Sequence, residues 1–214
     1  MFNINVRHVA QHTSINLETS FSSILSTKPN WWKIFLEFSG PEDGKLNHPA
    51  GLALTKDGNL LVADKDNHRI QLFNMDGTHI MTFGSQGNED GELNSPNHVA
   101  VTEDNSCLVT DTENNRIVKF DSSGKFHSSF GGKGSSDGQL DRPAGITIDS
   151  EGFIIVGDFQ NHRVQIFQPD GKFYATFGSE GDGEGEFKFP SGVALTKDGR
   201  VIVADRHNHR VQVY

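Results

Sequence analysis

The chain has 214 residues, a formal net charge of −9 at pH 7 and one cysteine, Cys107. This length is enough to bury a sizeable core, and the negative charge argues against broad electrostatic binding to nucleic acid or anionic lipid. A single cysteine excludes an internal disulfide and favours a reducing compartment. No stretch is long and apolar enough to span a bilayer, and residues 1–30 lack the layout of a signal peptide. The sequence therefore predicts a cytoplasmic protein without a membrane segment.

Residues 1–30 differ from the rest of the chain. They are rich in Ser, Thr and Asn, with scattered apolar residues. The positions that lie 47 residues before Asp64 and Arg69 are Leu17 and Ser22, so the repeat described next does not extend into this segment. We expect a poorly ordered leader over residues 1–30, followed by one repeat domain over residues 31–214.

One pattern occurs four times in the repeat domain, with a step of 47 residues. Each copy carries an Asp-x-x-Asn-(His/Asn)-Arg motif, at Asp64–Arg69, Asp111–Arg116, Asp158–Arg163 and Asp205–Arg210. Prolines keep the same step, at Pro49, Pro96, Pro143 and Pro190. A fixed period of this size is typical of repeat architectures, in which each unit is stable only when stacked on its neighbours. The repeats run at about 49–95, 96–142, 143–189 and 190–214.

Each repeat has the pattern of four short strands. An apolar run after the proline, such as Leu52–Leu54, leads through an Asp-Gly turn to a second apolar run, Leu60–Ala63 in the first repeat. The third run alternates, as in Arg69–Phe73, and the fourth ends at Phe83. Four-stranded antiparallel units at this period are β-propeller blades. The sequence therefore predicts an all-β propeller of about four four-stranded blades.

The two ends of the repeat domain are not alike. The chain stops at Tyr214, where a third strand ends, so the last blade lacks its outermost strand. Residues Lys33–Phe38 have the pattern of a fourth strand ahead of the first proline. We expect this strand to complete the last blade as a clasp that closes the ring and removes exposed edges. An open arc, in which it stays unpaired with Val211–Tyr214, is the alternative.

Three features recur together: the Asn-(His/Asn)-Arg triplets, the Gly-rich loops ending in (Leu/Phe)-x-x-Pro, and the apolar runs that lead into Asp-x-x-Asn. Together they resemble the NHL repeat. Over about residues 31–214 the chain is most similar to the C-terminal propeller of the tripartite-motif NHL family, whose members are ubiquitin ligases and RNA-regulatory proteins. The resemblance implies a propeller that binds a substrate or target.

Two departures from that family matter. Its propellers have six blades, so this chain would be an incomplete version of such a ring. The zinc-binding RING and B-box modules are absent, because one cysteine cannot supply their ligands. We therefore expect no ligase activity in this chain, which leaves an isoform, a fragment or a diverged gene product as open explanations.

The repeated Asp and Arg residues suggest an active site at first sight, since paired charges often mark one. Because the pair recurs at the same spacing in every blade, a structural role is the better interpretation. We expect it to link adjacent strands and order the loop between them. The set consists of Asp64, Arg69, Asp111, Arg116, Asp158, Arg163, Asp205 and Arg210.

Ten histidines raise the hypothesis of a metal site. Three of them share one repeat slot, which is filled by Asn115 in the remaining blade; they are His68, His162 and His209. This slot begins the third strand, away from the central channel of a propeller, so we expect no metal and no other cofactor.

His98 replaces the glycine that the other repeats carry, at the mouth of an innermost strand. Propellers usually bind ligands there; a tolerated substitution at a solvated position is the alternative. An NHL-type propeller serves as a zinc enzyme in the peptidyl-α-hydroxyglycine lyases, which use several channel histidines, and only His98 is placed to be one here. No nucleophile elbow, phosphate loop or Cys/His metal spacing is present. We therefore expect no enzyme activity.

A protein partner and an RNA partner are the two remaining hypotheses. The four loops that precede the innermost strands carry net charges of −1, −3, 0 and −3. The loops between the second and third strands have a summed net charge of zero. An acidic face disfavours a phosphate backbone and favours a protein or peptide with basic residues. Candidate binding residues are those that break the repeat consensus on this face: Lys65, His98, Phe159, Arg206 and His207. The alternative is single-stranded RNA bound by the same face, for which Phe159 is the clearest stacking residue.

Overall fold

The computed structural model describes residues 39–214, which form four antiparallel sheets in chain order. Blade 1 consists of β1 (Pro49–Leu54), β2 (Leu60–Asp64), β3 (Arg69–Phe73) and β4 (His79–Phe83). Blade 2 consists of β5 (Pro96–Val101), β6 (Cys107–Asp111), β7 (Arg116–Phe120) and β8 (Phe126–Gly131). Blade 3 consists of β9 (Pro143–Ile148), β10 (Ile154–Asp158), β11 (Arg163–Phe167) and β12 (Phe173–Phe177). Blade 4 consists of β13 (Pro190–Leu195), β14 (Val201–Asp205) and β15 (Arg210–Val213).

The predicted all-β propeller of four blades is confirmed. Each Asp-x-x-Asn segment, expected as a loop, folds as a one-turn 3-10 helix between the second and third strands: Lys65–Asn67, Thr112–Asn114, Phe159–Asn161 and Arg206–Asn208. The residue after each of these turns is in the left-handed region, as at His68 with φ of 55°. Asn and His are among the residues that tolerate this region best, which explains their repeated use here.

The hydrophobic core lies between blades. Between blades 1 and 2, Leu61 and Ile70 share one buried cluster with Val109 and Phe120. The last aromatic ring of each outermost strand reaches the next blade; the Phe83 and Phe120 rings, for example, lie 5.0 Å apart. A single blade therefore leaves an apolar face uncovered and depends on its neighbours for stability.

The innermost strands pack side by side, β1 on β5, β5 on β9 and β9 on β13. They approach closely: a Cβ atom at Gly145 would lie 2.5 Å from the carbonyl oxygen of Ser191. No comparable packing joins β13 back to β1 within residues 39–214. The predicted clasp at Lys33–Phe38 and the leader at 1–30 lie outside the described residues. In the described part of the chain, no helix is long and apolar enough to cross a membrane.

Candidate loop-face interface

Two sets of segments meet on one side of the propeller, which we call the loop face. One set precedes the innermost strands, and the other consists of the four 3-10 turns. Backbone bonds join them: the Asp66 N–H donates to the Asn47 carbonyl at 3.1 Å, and the His207 N–H donates to the Lys188 carbonyl at 3.0 Å. The loop face therefore has a fixed backbone and differs from blade to blade in its side chains.

The Asp/Arg motif lies beneath the loop face. In blade 3, the fully buried Asp158 carboxylate accepts bonds from the Asp141 N–H (2.8 Å), the Asn161 amide (2.9 Å) and Arg163 Nε (2.8 Å). Arg163 Nη2 also donates to the carbonyls of Ser136 and Gln139, both at 2.9 Å. The pair thus connects two strands, the 3-10 turn and the loop before the innermost strand.

The other blades repeat this arrangement. Nε of each arginine donates to the buried carboxylate of its own blade, at 2.7 Å for Asp64 with Arg69, 2.8 Å for Asp111 with Arg116 and 2.7 Å for Asp205 with Arg210. Desolvation acts to raise the pKa of Asp205, but hydrogen bonds from the Lys188 N–H, Asn208 and Arg210 outweigh it and hold the pKa below its usual value. These side chains are engaged with protein groups and are not presented on the loop face.

The histidine slot connects neighbouring blades. His68 Nδ1 accepts the N–H of Ser95 at 3.0 Å, and His162 Nδ1 accepts the N–H of Phe189 at 3.3 Å. In blade 2 the amide oxygen of Asn115 takes the same role. Because Asn and His both offer an acceptor at this position, either residue fits the slot. Within residues 39–214, no three His, Cys, Asp or Glu side chains come together as metal ligands.

The first residue of each 3-10 turn varies between blades. It is Lys65, Thr112, Phe159 or Arg206. Thr112 is buried and donates to the Pro143 carbonyl at 2.7 Å, so its role is structural. Lys65 and Phe159 are half-buried, and Arg206 is exposed. This position therefore supplies chemically different side chains to the loop face.

An aromatic group occupies the loop face where blades 3 and 4 meet. The Phe189 ring lies 5.0 Å from the Phe159 ring, 4.4 Å from that of His162 and 4.5 Å from that of His207. We call these four residues the blade 3–4 cluster. Phe189 was not among the residues singled out from the sequence. Phe189 occupies the repeat position that is filled by His48, Ser95 and Arg142 in the other repeats. An aromatic residue at a position that is polar in the other repeats is the sequence feature that could have identified it.

The five predicted binding residues do not form one site. Phe159 and His207 belong to the blade 3–4 cluster, and Arg206 precedes His207. Lys65 lies on blade 1, with blade 2 between it and the cluster.

His98 lies on the innermost strand β5, as the sequence predicts, but its position is buried and not solvated. Its side chain is 9% exposed and lies against the backbone of blade 1 at Gly51. It borders a cavity of about 300 Å³ between the innermost strands of blades 1 to 3, whose other lining is mainly aliphatic and includes Leu52, Leu54, Ile146 and Ile148. The sequence could not reveal this, since the burial of His98 depends on the neighbouring blade.

Acidic side chains are close in sequence to Phe189 of the blade 3–4 cluster. The loop that leads into β13 carries Glu180, Asp182 and Glu184, all exposed. Of the nearby cations, Lys188 Nζ lies 3.9 Å from an Asp182 carboxylate oxygen, and Arg206 is exposed. The cluster is thus an aromatic surface that is preceded in sequence by an acidic loop, with the exposed Arg206 directly before His207.

Comparison with known families decides the identity of the repeat. A family model described as the NHL repeat matches residues 46–73, 93–120, 140–167 and 187–214, which together make up more than half of the chain. The chain belongs to the NHL-repeat family. Each matched segment runs from the end of the loop before an innermost strand to the end of the third strand, so it contains the Asp/Arg pair of one blade.

Two curated NHL-type relatives come from Drosophila melanogaster. A 39-residue segment is 49% identical to Protein wech, and a 53-residue segment is 40% identical to Protein brain tumor. These segments cover 18% and 25% of this chain, and 5% of each relative. The comparison thus extends to only a small part of either protein.

Solved structures share the propeller fold at low sequence identity. A streptogramin B lyase superposes with a TM-score of 0.62 and 18% identity, over 83% of this chain and 56% of that one. A chain of a nidogen/laminin complex superposes with a TM-score of 0.62 and 20% identity, over 78% of this chain and 60% of that one. The likeness therefore establishes the fold, which an enzyme and a component of a protein complex share.

Proposed function

We propose that this chain is a non-catalytic interaction module that recruits a protein partner through the blade 3–4 cluster. The observation that carries the proposal is the grouping of Phe159, Phe189 and His207 on the loop face, next to the exposed Arg206. Aromatic residues and arginine are the side chains that contribute most to protein–protein contacts. The structural positions of the repeat are alike from blade to blade, whereas the cluster is particular to blades 3 and 4.

The charge of the loop that leads to Phe189 indicates the chemistry of the partner. Glu180, Asp182 and Glu184 of this loop are exposed and carry negative charge. A partner that inserts an apolar or aromatic side chain and places basic residues around it would complement both parts. The likeness to the tripartite-motif NHL family supports the same role, the target-binding end of a ubiquitin ligase whose catalytic module is not in this chain.

A single-stranded RNA is the second candidate, and the same cluster favours it. Bases stack on aromatic rings and on guanidinium planes, and Phe159, Phe189 and Arg206 supply both. The net negative charge of the loops before the innermost strands opposes a phosphate backbone, which makes the protein partner the better proposal. RNA binding would weaken steeply with salt and would depend on Lys65 and Arg206.

The proposal includes no catalysis and no cofactor. The cavity between the innermost strands is lined mainly by aliphatic side chains, with His98 at its border, which suits an apolar packing space better than a zinc centre of the lyase type. Metal analysis of the purified protein tests this. A stoichiometric zinc that is lost on His98→Ala would restore the lyase hypothesis.

The partner proposal is tested by affinity capture with the full chain from cell extract, with and without RNase, read by mass spectrometry. We expect a protein whose capture survives RNase and falls at least tenfold in a Phe159→Ala, His207→Ala double variant. Tyr174→Ala is the matched control, because Tyr174 is an exposed aromatic residue on β12 of blade 3. Capture that disappears with RNase would favour the RNA candidate. Capture that the double variant leaves unchanged would exclude the blade 3–4 cluster as the binding site.

A further inference from the structure

The histidine slot joins neighbouring blades through one nitrogen of the imidazole ring. His162 Nδ1 accepts the N–H of Phe189 at 3.3 Å, and His68 Nδ1 accepts the N–H of Ser95 at 3.0 Å. A backbone N–H can only donate, so Nδ1 must carry a free electron pair and the ring must be neutral. In the protonated ring both nitrogens carry hydrogen, and the contact is lost. These two junctions therefore depend on the charge of a histidine.

The junction between blades 2 and 3 makes the same contact without a titratable group. Here Asn115 Oδ1 accepts the N–H of Arg142 at 2.9 Å. Histidine is the side chain that ordinarily changes its charge between about pH 5 and pH 8, and an amide does not change its charge in this range. The chain thus contains two junctions whose acceptor can be protonated and one, of the same design, whose acceptor cannot.

No acidic group compensates for protonation of His162. Within residues 39–214 its ring forms no ion pair, in contrast to the His48 ring, which pairs with Asp66. The buried carboxylates nearby, Asp158 and Asp205, are already bonded to arginines. A positive ring would therefore lose its bond without gaining a carboxylate. The charged and titratable groups on the adjoining segments are Asp141, Asp158 and Arg163 of blade 3, and the acidic loop 180–186, Lys188, Asp205, Arg206 and His207 of blade 4.

The bond to His162 matters because of the backbone at Phe189. Its φ is 55°, in the left-handed region, which a bulky residue adopts only where its surroundings hold it. The bond to His162 is one such restraint, and the adjacent Lys188 N–H, which donates to Asp205 Oδ1 at 2.7 Å, is another. The Phe189 ring is also the one that contacts all other members of the blade 3–4 cluster. A change at the His162 ring is therefore transmitted to the cluster.

We propose that His162 is a pH-sensitive latch of the blade 3–4 cluster. The neutral ring holds the Phe189 backbone, and the protonated ring releases it, so that the cluster loses its arrangement. Because the contact needs the neutral ring, the stability that it supplies is present at neutral pH and is lost as the pH falls. The latch itself stands on the contacts above, whereas its effect on a partner rests on the proposed function of the cluster.

Residue-specific hydrogen exchange of the full chain tests the latch without a partner. We expect the protection of the Phe189 amide, corrected for the intrinsic effect of pH, to fall at least tenfold from about pH 7.5 to about pH 5.5. Protection of the Arg142 amide, whose acceptor is Asn115, should not change. His162→Asn should abolish the pH effect at Phe189, and Asn115→His should create one at Arg142.

The outcomes that overturn the proposal are specific. Equal protection of the Phe189 amide at the two pH values would do so. A pH effect that persists in His162→Asn and disappears in His207→Asn would assign the sensitivity to the neighbouring histidine, and it would overturn the proposal as well. Circular dichroism at both pH values checks that the sheets are retained in each variant.

The effect on binding is measured separately, with a photoreactive amino acid at position 207 of the full chain in cell extract. We expect the yield of protein adducts to fall at least fivefold from about pH 7.5 to about pH 5.5, and the ratio of the two yields to approach one in His162→Asn. A ratio near one with His162 in place would overturn the regulatory role. No adduct at either pH would instead overturn the proposed function of the cluster, and the exchange result would still decide the latch.

Discussion

At the scale of single residues, the repeated Asp/Arg pair organises each blade from its interior. The Asp158 carboxylate is fully buried and accepts bonds from a backbone N–H, an asparagine amide and an arginine. A buried carboxylate is costly unless such bonds satisfy it, and removing it leaves its donors unpaired. The network therefore fixes the loop backbone on which the variable side chains stand.

We predict that Asp158→Ala lowers the free energy of unfolding by about 3 kcal/mol, because it leaves the Arg163 guanidinium without its carboxylate. Denaturant unfolding followed by circular dichroism measures the change. Asp170→Ala is the control: this carboxylate pairs with Lys172 at an exposed site, and its loss should have no measurable effect. If Asp158→Ala left the stability unchanged and abolished partner binding, the Asp/Arg pair would have a binding role and not a structural one.

The residue scale also shows where sequence reasoning succeeds and where it fails. The Asp and Arg positions could be found because they recur in every repeat and act within one blade. Phe189 and the burial of His98 could not, since each depends on contacts with a neighbouring blade. The candidate site was therefore predicted in part, through Phe159, Arg206 and His207.

At the scale of the elements, the innermost strands show how closely the blades approach. A side chain at Gly51 would meet the backbone of blade 2 near His98, and one at Gly145 would meet that of blade 4 near Ser191. Glycine at positions 51 and 145 is thus a consequence of strand packing, whereas blade 2 carries His98 at this repeat position. The strands themselves followed from alternation and turn residues, whereas the 3-10 turns are too short to produce a periodic signal.

Cys107 on β6 provides a probe of the junction between blades 1 and 2. Burial raises the pKa of its thiol to about 12, so the reactive thiolate is almost absent at neutral pH. We predict that a thiol reagent at pH 8 labels no residue of the native chain and one residue per chain after unfolding. Fast labelling of the native protein would show that this junction opens readily.

At the scale of the whole molecule, the repeat determines the fold because every blade is built from the same pattern and buries its apolar face on the next one. The number of blades and the strand order could therefore be predicted from the sequence. The exposure of Val211 could not be predicted, because Val211 is aliphatic like its buried copies and differs from them only in having no neighbouring blade within residues 39–214. The same fold in a lyase and in a protein complex shows why function has to be argued from the surface.

The central claim is that the blade 3–4 cluster contacts a protein. Site-specific photo-cross-linking in cells, with a photoreactive amino acid at position 207 of the full chain and a control at position 174, tests it most directly. The account predicts a protein adduct at position 207 that resists RNase and is absent at position 174. Adducts to RNA alone, or equal protein adducts at both positions, would contradict it.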